Sequence, residues 1–201
     1  MRKLIVQAFL TLDGVMQAPG GPDEDRDGDF SHGGWSFGYW DESMQEVMGQ
    51  ALSEPFDLVL GRRTYDIFAA HWPHTDDPGA ELFNGVTKHV ASTTLGEPEW
   101  QNSRLIEGGV PDGIRALKEQ EGPELQVHGS ANLIQSLLEH GLVDEIRVWI
   151  FPLVLGTGKR LFAGGTAPDG MELASSRVSS SGVIMATYRT GADIKYGSFA
   201  D

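Results

Sequence analysis

The sequence predicts a three-layer α/β/α fold with a mainly parallel mixed sheet and a C-terminal antiparallel hairpin. Three observations carry this. Short apolar runs rich in β-formers recur along the chain, segments with helical apolar spacing separate them, and the last two β-rich runs have no helix between them.

Lys3 to Thr11 is an apolar run that ends at Asp13-Gly14, which reads as a buried strand followed by a turn. Pro19 to Gly34 is a loop dense in Gly, Pro and Asp. Met44, Val47, Met48, Ala51 and Leu52 carry helical spacing, with Asp41 or Ser43 as the cap. Leu58-Val59-Leu60 is a short strand reaching Gly61, and Arg62 to Ala70 is helical again. His71 to Gly79, HWPHTDDPG, is a connection. Lys88 to Thr93 and Arg104 to Ile106 are short strands. Val110, Ile114 and Leu117 mark an amphipathic helix closed near Gly122-Pro123.

Leu125 to His128 is a strand that stops at Gly129-Ser130-Ala131 and turns directly into a helix, whose apolar face is Leu133, Ile134, Leu137 and Leu138. A junction this tight lets helix-start N–H groups face something negative. Asp144 to Leu155 is a long central strand, and Glu172 to Arg189 forms the hairpin around Ser181-Gly182. With no internal repeat or linker, residues 1–201 are expected to form a single domain. In such a sheet, ligands sit at the C-terminal ends of the parallel strands. Asp13-Gly14, Gly61-Arg62, Ser92-Thr93 and Gly129-Ser130 all fall there.

A net charge of -14, from 15 basic and 29 acidic side chains, argues against a nucleic-acid or anionic-membrane surface. No stretch is long and apolar enough for a membrane span, and a cytoplasmic location is expected. The absence of cysteine excludes disulfides, thiolate nucleophiles and zinc-thiolate sites. Asp23 to Gly28 matches the first half of an EF-hand loop, but its twelfth position is Gly34 rather than Glu, so no metal is expected. Gly156-Thr157-Gly158-Lys159-Arg160 fails the P-loop pattern, and no G-x-G-x-x-G follows the first strand. Trp35, Trp40 and Trp72 either stack on a flat ring or cover the core, and His128 reads as a strand-end side chain.

Four blocks in register, FLTLDGVM, LVLGRRTYDIF, VHGSANLIQSLL and GLVDEIRVWIFPLVLGTGKRLF, resemble the bacterial dihydrofolate-reductase-like family that includes the reductase domain of riboflavin biosynthesis. The resemblance spans roughly Lys3 to Arg189. It implies an NADPH-dependent reductase acting on a small heterocycle, similar to 5-amino-6-(5-phosphoribosylamino)uracil reductase and dihydrofolate reductase, and a homodimer. It also implies that Gly129, Ser130, Ala131, Asn132 and Leu133 receive the pyrophosphate, helped by helix-start N–H groups. Gly61, Arg62, Arg63 and Thr64 would form a second phosphate contact. Ser92 and Thr93 would neighbour the adenosine 2′-phosphate, with Gly14 in a loop over the nicotinamide.

Trp40 and Trp72 are the candidates for substrate contact. Asp13, Asp41 and Glu42 are the carboxylates nearest in sequence for the proton that reduction requires, and Asp13 is the candidate catalytic residue. The chain departs from the family it resembles in placing Val15-Met16 after the Asp-Gly turn, where the riboflavin reductase normally has Lys, and Ser130 where a second glycine is usual. No carboxylate stands five residues after Trp35 or Trp40. A cofactor-binding sensor or scaffold without catalysis is the alternative these departures leave open.

Overall fold

The computed structural model describes residues 1–162, 164 and 166–199. Strands β1 (Leu4–Thr11), β2 (Phe56–Gly61), β3 (Lys88–Ala91), β4 (Ser103–Leu105), β5 (Glu124–Val127), β6 (Glu145–Phe151), β7 (Gly170–Val178) and β8 (Ile184–Ala192) form one sheet in the order β4-β3-β2-β5-β1-β6-β8-β7. The pairs from β4 through β6 are parallel, while β8 runs antiparallel to both β6 and β7. The helices are α1 (Glu42–Ser53), α2 (Arg62–His71), α3 (Ala80–Gly85), α4 (Val110–Glu119) and α5 (Ala131–Glu139).

Strand alternation sorts the core onto two faces. From β1, Leu4, Val6, Ala8 and Leu10 join Val59, Leu125 and Val127 against Ile114 of α4 and Leu133, Ile134 and Leu137 of α5. On the opposite face Phe9 packs with Met44, Trp149 and Phe151 beside α1, and Leu58 and Leu60 pack with Tyr65 and Phe83 of α2 and α3. Helices therefore cover both faces, as the period-2 and period-3.6 patterns require. Asp41 caps α1, its Oδ1 accepting from the Met44 N–H at 2.9 Å.

Two elements differ from the expectation. The long strand ends at Phe151 because Pro152 has no N–H for the ladder; the chain then bends, Leu153 donating to the Phe151 carbonyl at 2.8 Å. The connection after His71 is also more ordered than its Pro and Asp content suggests. Trp72 to His74 makes a 3₁₀ turn and Ala80–Gly85 a short helix, anchored by Phe83 in the core.

Lys88 ties down that helix. Its side chain is fully buried, with Nζ donating to the carbonyls of Phe83 (3.0 Å) and Asn84 (3.1 Å) and lying 4.0 Å from the Trp100 ring centre. Burial pushes its pKa down to about 8 from 10.5. Between those values the unfolded chain holds more protons than the folded one, so this group makes stability rise with pH across that window. Lys88→Ala is expected to lower unfolding free energy by about 3 kcal/mol, since it removes the side-chain donor of the Phe83 carbonyl, one of three side-chain donors to the Asn84 carbonyl, and opens a void. Urea denaturation at pH 7 measures it, and an unchanged midpoint would show that the contact stabilises nothing.

Candidate active site

Two strand-to-helix junctions lie side by side at the C-terminal ends of the parallel strands. At the first, β2 passes directly into α2 with Gly61 as the N-cap; at the second, three residues, His128 to Ser130, separate β5 from α5, with Ser130 as the N-cap. They interlock through side chains. Ser130 Oγ lies 2.9 Å from Thr64 Oγ1 and accepts from the Thr64 N–H at 3.4 Å. A Cβ on Gly61 would collide with Ser130, and one on Gly129 would stand 2.9 Å from Thr64 Oγ1. Gly129 also has φ of +120°, whereas Ser130 takes an ordinary extended φ of -90°, so only the first position demands glycine. Because Ser130 Oγ turns to Thr64, no side chain caps α5. The first-turn N–H groups of that helix face the end of the sheet uncapped by its own N-cap residue.

Beside the junctions a cavity of about 540 Å³ extends between α1 and α2 above β1. Its walls are largely apolar: Phe9, Met16, Trp40, Met48, Leu52, Phe68, Trp72 and Phe83. Trp40 packs edge-on against Phe9 (5.8 Å), and Trp72 stacks on Phe83 (4.4 Å, 21°). Both tryptophans thus serve the core and the cavity together. His128 lies on the floor, its Nε2 3.0 Å from Gln126 Oε1 and its ring among Phe56, Phe68 and Phe83. Burial, with a smaller contribution from Arg147, pushes its pKa down to about 4, so it is neutral at pH 7.

The expected site residues divide by position. Arg63, Thr64, Gly129, Ser130 and Ala131 line the cavity together with Trp40 and Trp72. Arg62 does not; it pairs with Asp66 one turn along the exposed face of α2 at 2.8 Å. Ser92 follows the strand end where Ala91 sits opposite Gly61, and its Oγ accepts from the N–H groups of Thr94 (3.2 Å) and Leu95 (3.0 Å). Thr93 adjoins it in the same turn. Asn132 and Leu133 are in the first turn of α5, Leu133 with its side chain buried in the core. Gly14 has φ of +81° in the turn after β1 and lies outside the cavity lining.

Asp13 is also outside that lining, and its carboxylate is engaged elsewhere. It accepts from Thr11 Oγ1 (2.6 Å), the N–H of Gly156 (2.8 Å) and that of Leu155 (3.2 Å), with Arg160 3.4 Å away. These bonds, the Thr11 hydroxyl foremost, hold it well below the usual carboxylate range. An ionised acceptor clamping two loops has no proton to give at neutral pH. The geometry makes Asp13 an anchor for the 153–160 segment. Asp41 is similarly committed to Met44, Ser43 and Ser180.

Sequence reasoning missed the polar rim. Asp25, largely buried, meets Arg63 and Lys159 at 2.7 Å each, and Asp27 lies 2.9 Å from Lys159. The half-EF-hand stretch therefore holds cations of the protein itself. Buried Gln17 orders it, its Nε2 donating to the carbonyls of Asp25 (3.1 Å) and Asp27 (2.9 Å) and its Oε1 accepting from the Lys159 N–H (3.0 Å). Glu24 faces the cavity beside them. No periodicity marks these residues; the dense Gly, Pro and Asp content showed only that the chain turns there.

The family model described as the RibD C-terminal domain matches residues 2–185. The uncharacterized protein YyaP of Bacillus subtilis (strain 168) is 28% identical over 193 residues, covering 93% of this chain and 94% of its own. Among solved structures, a protein of Shewanella sp. PV-4 assigned provisionally to riboflavin biosynthesis superposes with TM-score 0.73 at 24% identity, covering 94% of this chain and 99% of its own. The dihydrofolate reductase of Enterococcus faecalis, solved as a complex with NADP(H), gives TM-score 0.60 at 12% identity and covers 94% of this chain and 97% of its own. These likenesses establish the shared fold.

Proposed function

Since the chain belongs to the RibD C-terminal domain family, we propose that it is an NADPH-dependent reductase of a small heterocycle bearing a C=N or C=O bond. One observation carries the reading. The interlocked Gly61/Thr64 and Gly129/Ser130 junctions open onto a largely apolar, aromatic-walled cavity that has a cation at its rim.

The residues present fit the cofactor. Gly129 leaves a cradle that a Cβ would fill, and the uncapped first turn of α5 offers N–H donors to a pyrophosphate from Ala131, Asn132 and Leu133. Arg63 and Thr64, with Ser92 and Thr93 at the neighbouring strand end, supply the charge and hydroxyls a 2′-phosphate would take. When bound, the nicotinamide supplies a hydride to the substrate. The protein holds the flat substrate between Trp40 and Trp72, excludes water with apolar walls, and keeps His128 neutral beneath it. Asp13 acts through position, fixing the turn that contains Gly14.

Calorimetric titration with NADPH and then NADH tests the reading. Binding of NADPH at roughly micromolar affinity, with NADH weaker, is expected; no binding of either cofactor would sink the proposal. Arg63→Ala should weaken NADPH about 10- to 100-fold and NADH far less, the loss of one charge-assisted contact. Arg62→Ala, whose guanidinium serves Asp66 on the exposed face, should change either by less than about 2-fold. Equal effects of the two substitutions would remove Arg63 from the 2′-phosphate.

A further inference from the structure

We infer that Glu24, carried to the cavity by the Gly20-Gly21-Pro22 turn, is the catalytic residue that delivers the proton to the ligand heteroatom. The inference rests on the reductase reading above. Among the described residues, Glu24 and Asp25 are the only carboxyls lining the cavity, and Asp25 is bound on both oxygens by Arg63 and Lys159. Neutral His128, with its Nε2–H given to Gln126 at 3.0 Å, has no second proton to give. Lys159 is tied to Asp25 and Asp27, and Arg63 does not deprotonate.

Glu24 is free to act differently. Its Oε2 accepts from the N–H groups of Gly20 (2.6 Å) and Gly21 (3.1 Å), while its Oε1 takes no hydrogen bond among the described residues. A carboxyl protonated on Oε1 keeps Oε2 as a carbonyl acceptor, so holding the turn and carrying an acidic proton are compatible. The turn is fixed in place. A Cβ on Gly33 would collide with the Gly21 and Pro22 backbone, Gly34 donates to the Ala18 carbonyl at 2.9 Å, and Ser36 Oγ donates to the Pro19 carbonyl at 2.7 Å.

The surroundings shift Glu24 toward its protonated form relative to a free glutamate. Burial raises the Glu24 pKa above 4.5, opposed by the two backbone N–H groups; adjacent Asp25 raises it further and His71 at the end of α2 lowers it. Arg63 and Lys159, the cations of the same cavity, have Asp25 between them as their partner.

The transfer balances. The proton on Oε1 goes to the ligand nitrogen or oxygen, the hydride from the reduced nicotinamide forms the new C–H bond, and the π bond of C=N or C=O breaks. Glu24 is left as a carboxylate and regains a proton from water. The net consumption is one NADPH and one proton.

Carbon-13 NMR of the full chain labelled at glutamate carboxyls, titrated with pH in wild type and Glu24→Gln, reads the proton directly without cofactor. One resonance, absent from Glu24→Gln, is expected to titrate above the other glutamates. A Glu24 resonance at or below the others would overturn the inference, because the group would then be an ionised clamp. Glu24→Gln keeps an acceptor for Gly20 and Gly21, so it should fold and bind NADPH as wild type does. Where wild type oxidises NADPH with dihydrofolate or 5-amino-6-(5-phosphoribosylamino)uracil, it should lose at least about 100-fold in kcat. Undiminished turnover in the variant would also overturn the assignment. Failure of wild type to bind NADPH would instead count against the reductase reading, and the carboxyl titration would still decide whether Glu24 holds the proton.

Discussion

Gly129→Val is expected to abolish binding of both NADPH and NADH while leaving a less stable but folded protein. The residue has φ of +120°, a region a β-branched side chain enters only under strain, and its Cβ would stand 2.9 Å from Thr64 Oγ1. Relief requires either Gly129 or Thr64 to move, and both belong to the paired junctions. The cost in stability should be about 3 kcal/mol, or roughly 6–12 °C in Tm for a chain of this size. The loss of binding should exceed this, because even a small shift of the backbone removes the cradle for the pyrophosphate. Titration at a temperature where near-UV circular dichroism shows a native fold separates the two effects. A folded variant with NADPH affinity within about 3-fold of wild type would mean that the pyrophosphate does not lie against Gly129.

Asp13→Ala should be strongly destabilising without being an active-site lesion. It leaves the Thr11 hydroxyl and the N–H groups of Leu155 and Gly156 without their acceptor and removes the carboxylate from Arg160, which keeps the carbonyls of residue 13 and Gly156, a loss of about 3–4 kcal/mol. Asp13→Asn retains one carbonyl acceptor and should recover part of it. The pH dependence has a definite sign. The folded pKa lies below the unfolded value of 3.8, so the contribution is fully present above 3.8 and is lost as pH falls from there through the folded value. Urea denaturation at pH 7 and pH 3 should show wild type losing more stability than Asp13→Ala over that interval. An Asp13→Asn protein as stable as wild type but inactive with a known substrate would return Asp13 to the chemistry.

The fold was legible because its elements are short and locally consistent. Alternation in β1, where Leu4, Val6, Ala8 and Leu10 face one side and Phe9 the other, places the strand between two helical layers. The junctions at Gly61 and Gly129 were legible for a different reason: a strand that becomes a helix with three residues or fewer between them leaves few backbone solutions. What could not be read was pairing across distance. Asp13 looked like a loop-starting carboxylate, and only the return of residues 155–156 shows where its oxygens go. Glu24 and Asp25 are adjacent and chemically alike, yet one meets two cations and the other two backbone N–H groups. Helix α3 escaped because Pro78-Gly79 reads as a break, whereas its stability comes from Phe83 in the core and from Lys88 just past its end, whose ammonium folds back onto the last turn.

The Asp25 bridge also bears on how ligands compete. Arg63 and Lys159 are already matched by a carboxylate that belongs to the same molecule. An anionic group arriving at these cations exchanges one counter-anion for another instead of neutralising bare charge. Its affinity is therefore the remainder of a contest with a rival held in place by the fold, whose local concentration does not depend on the solution. Added salt screens both contestants alike, so such a site should discriminate among anions by shape and hydrogen bonding and respond only weakly to ionic strength.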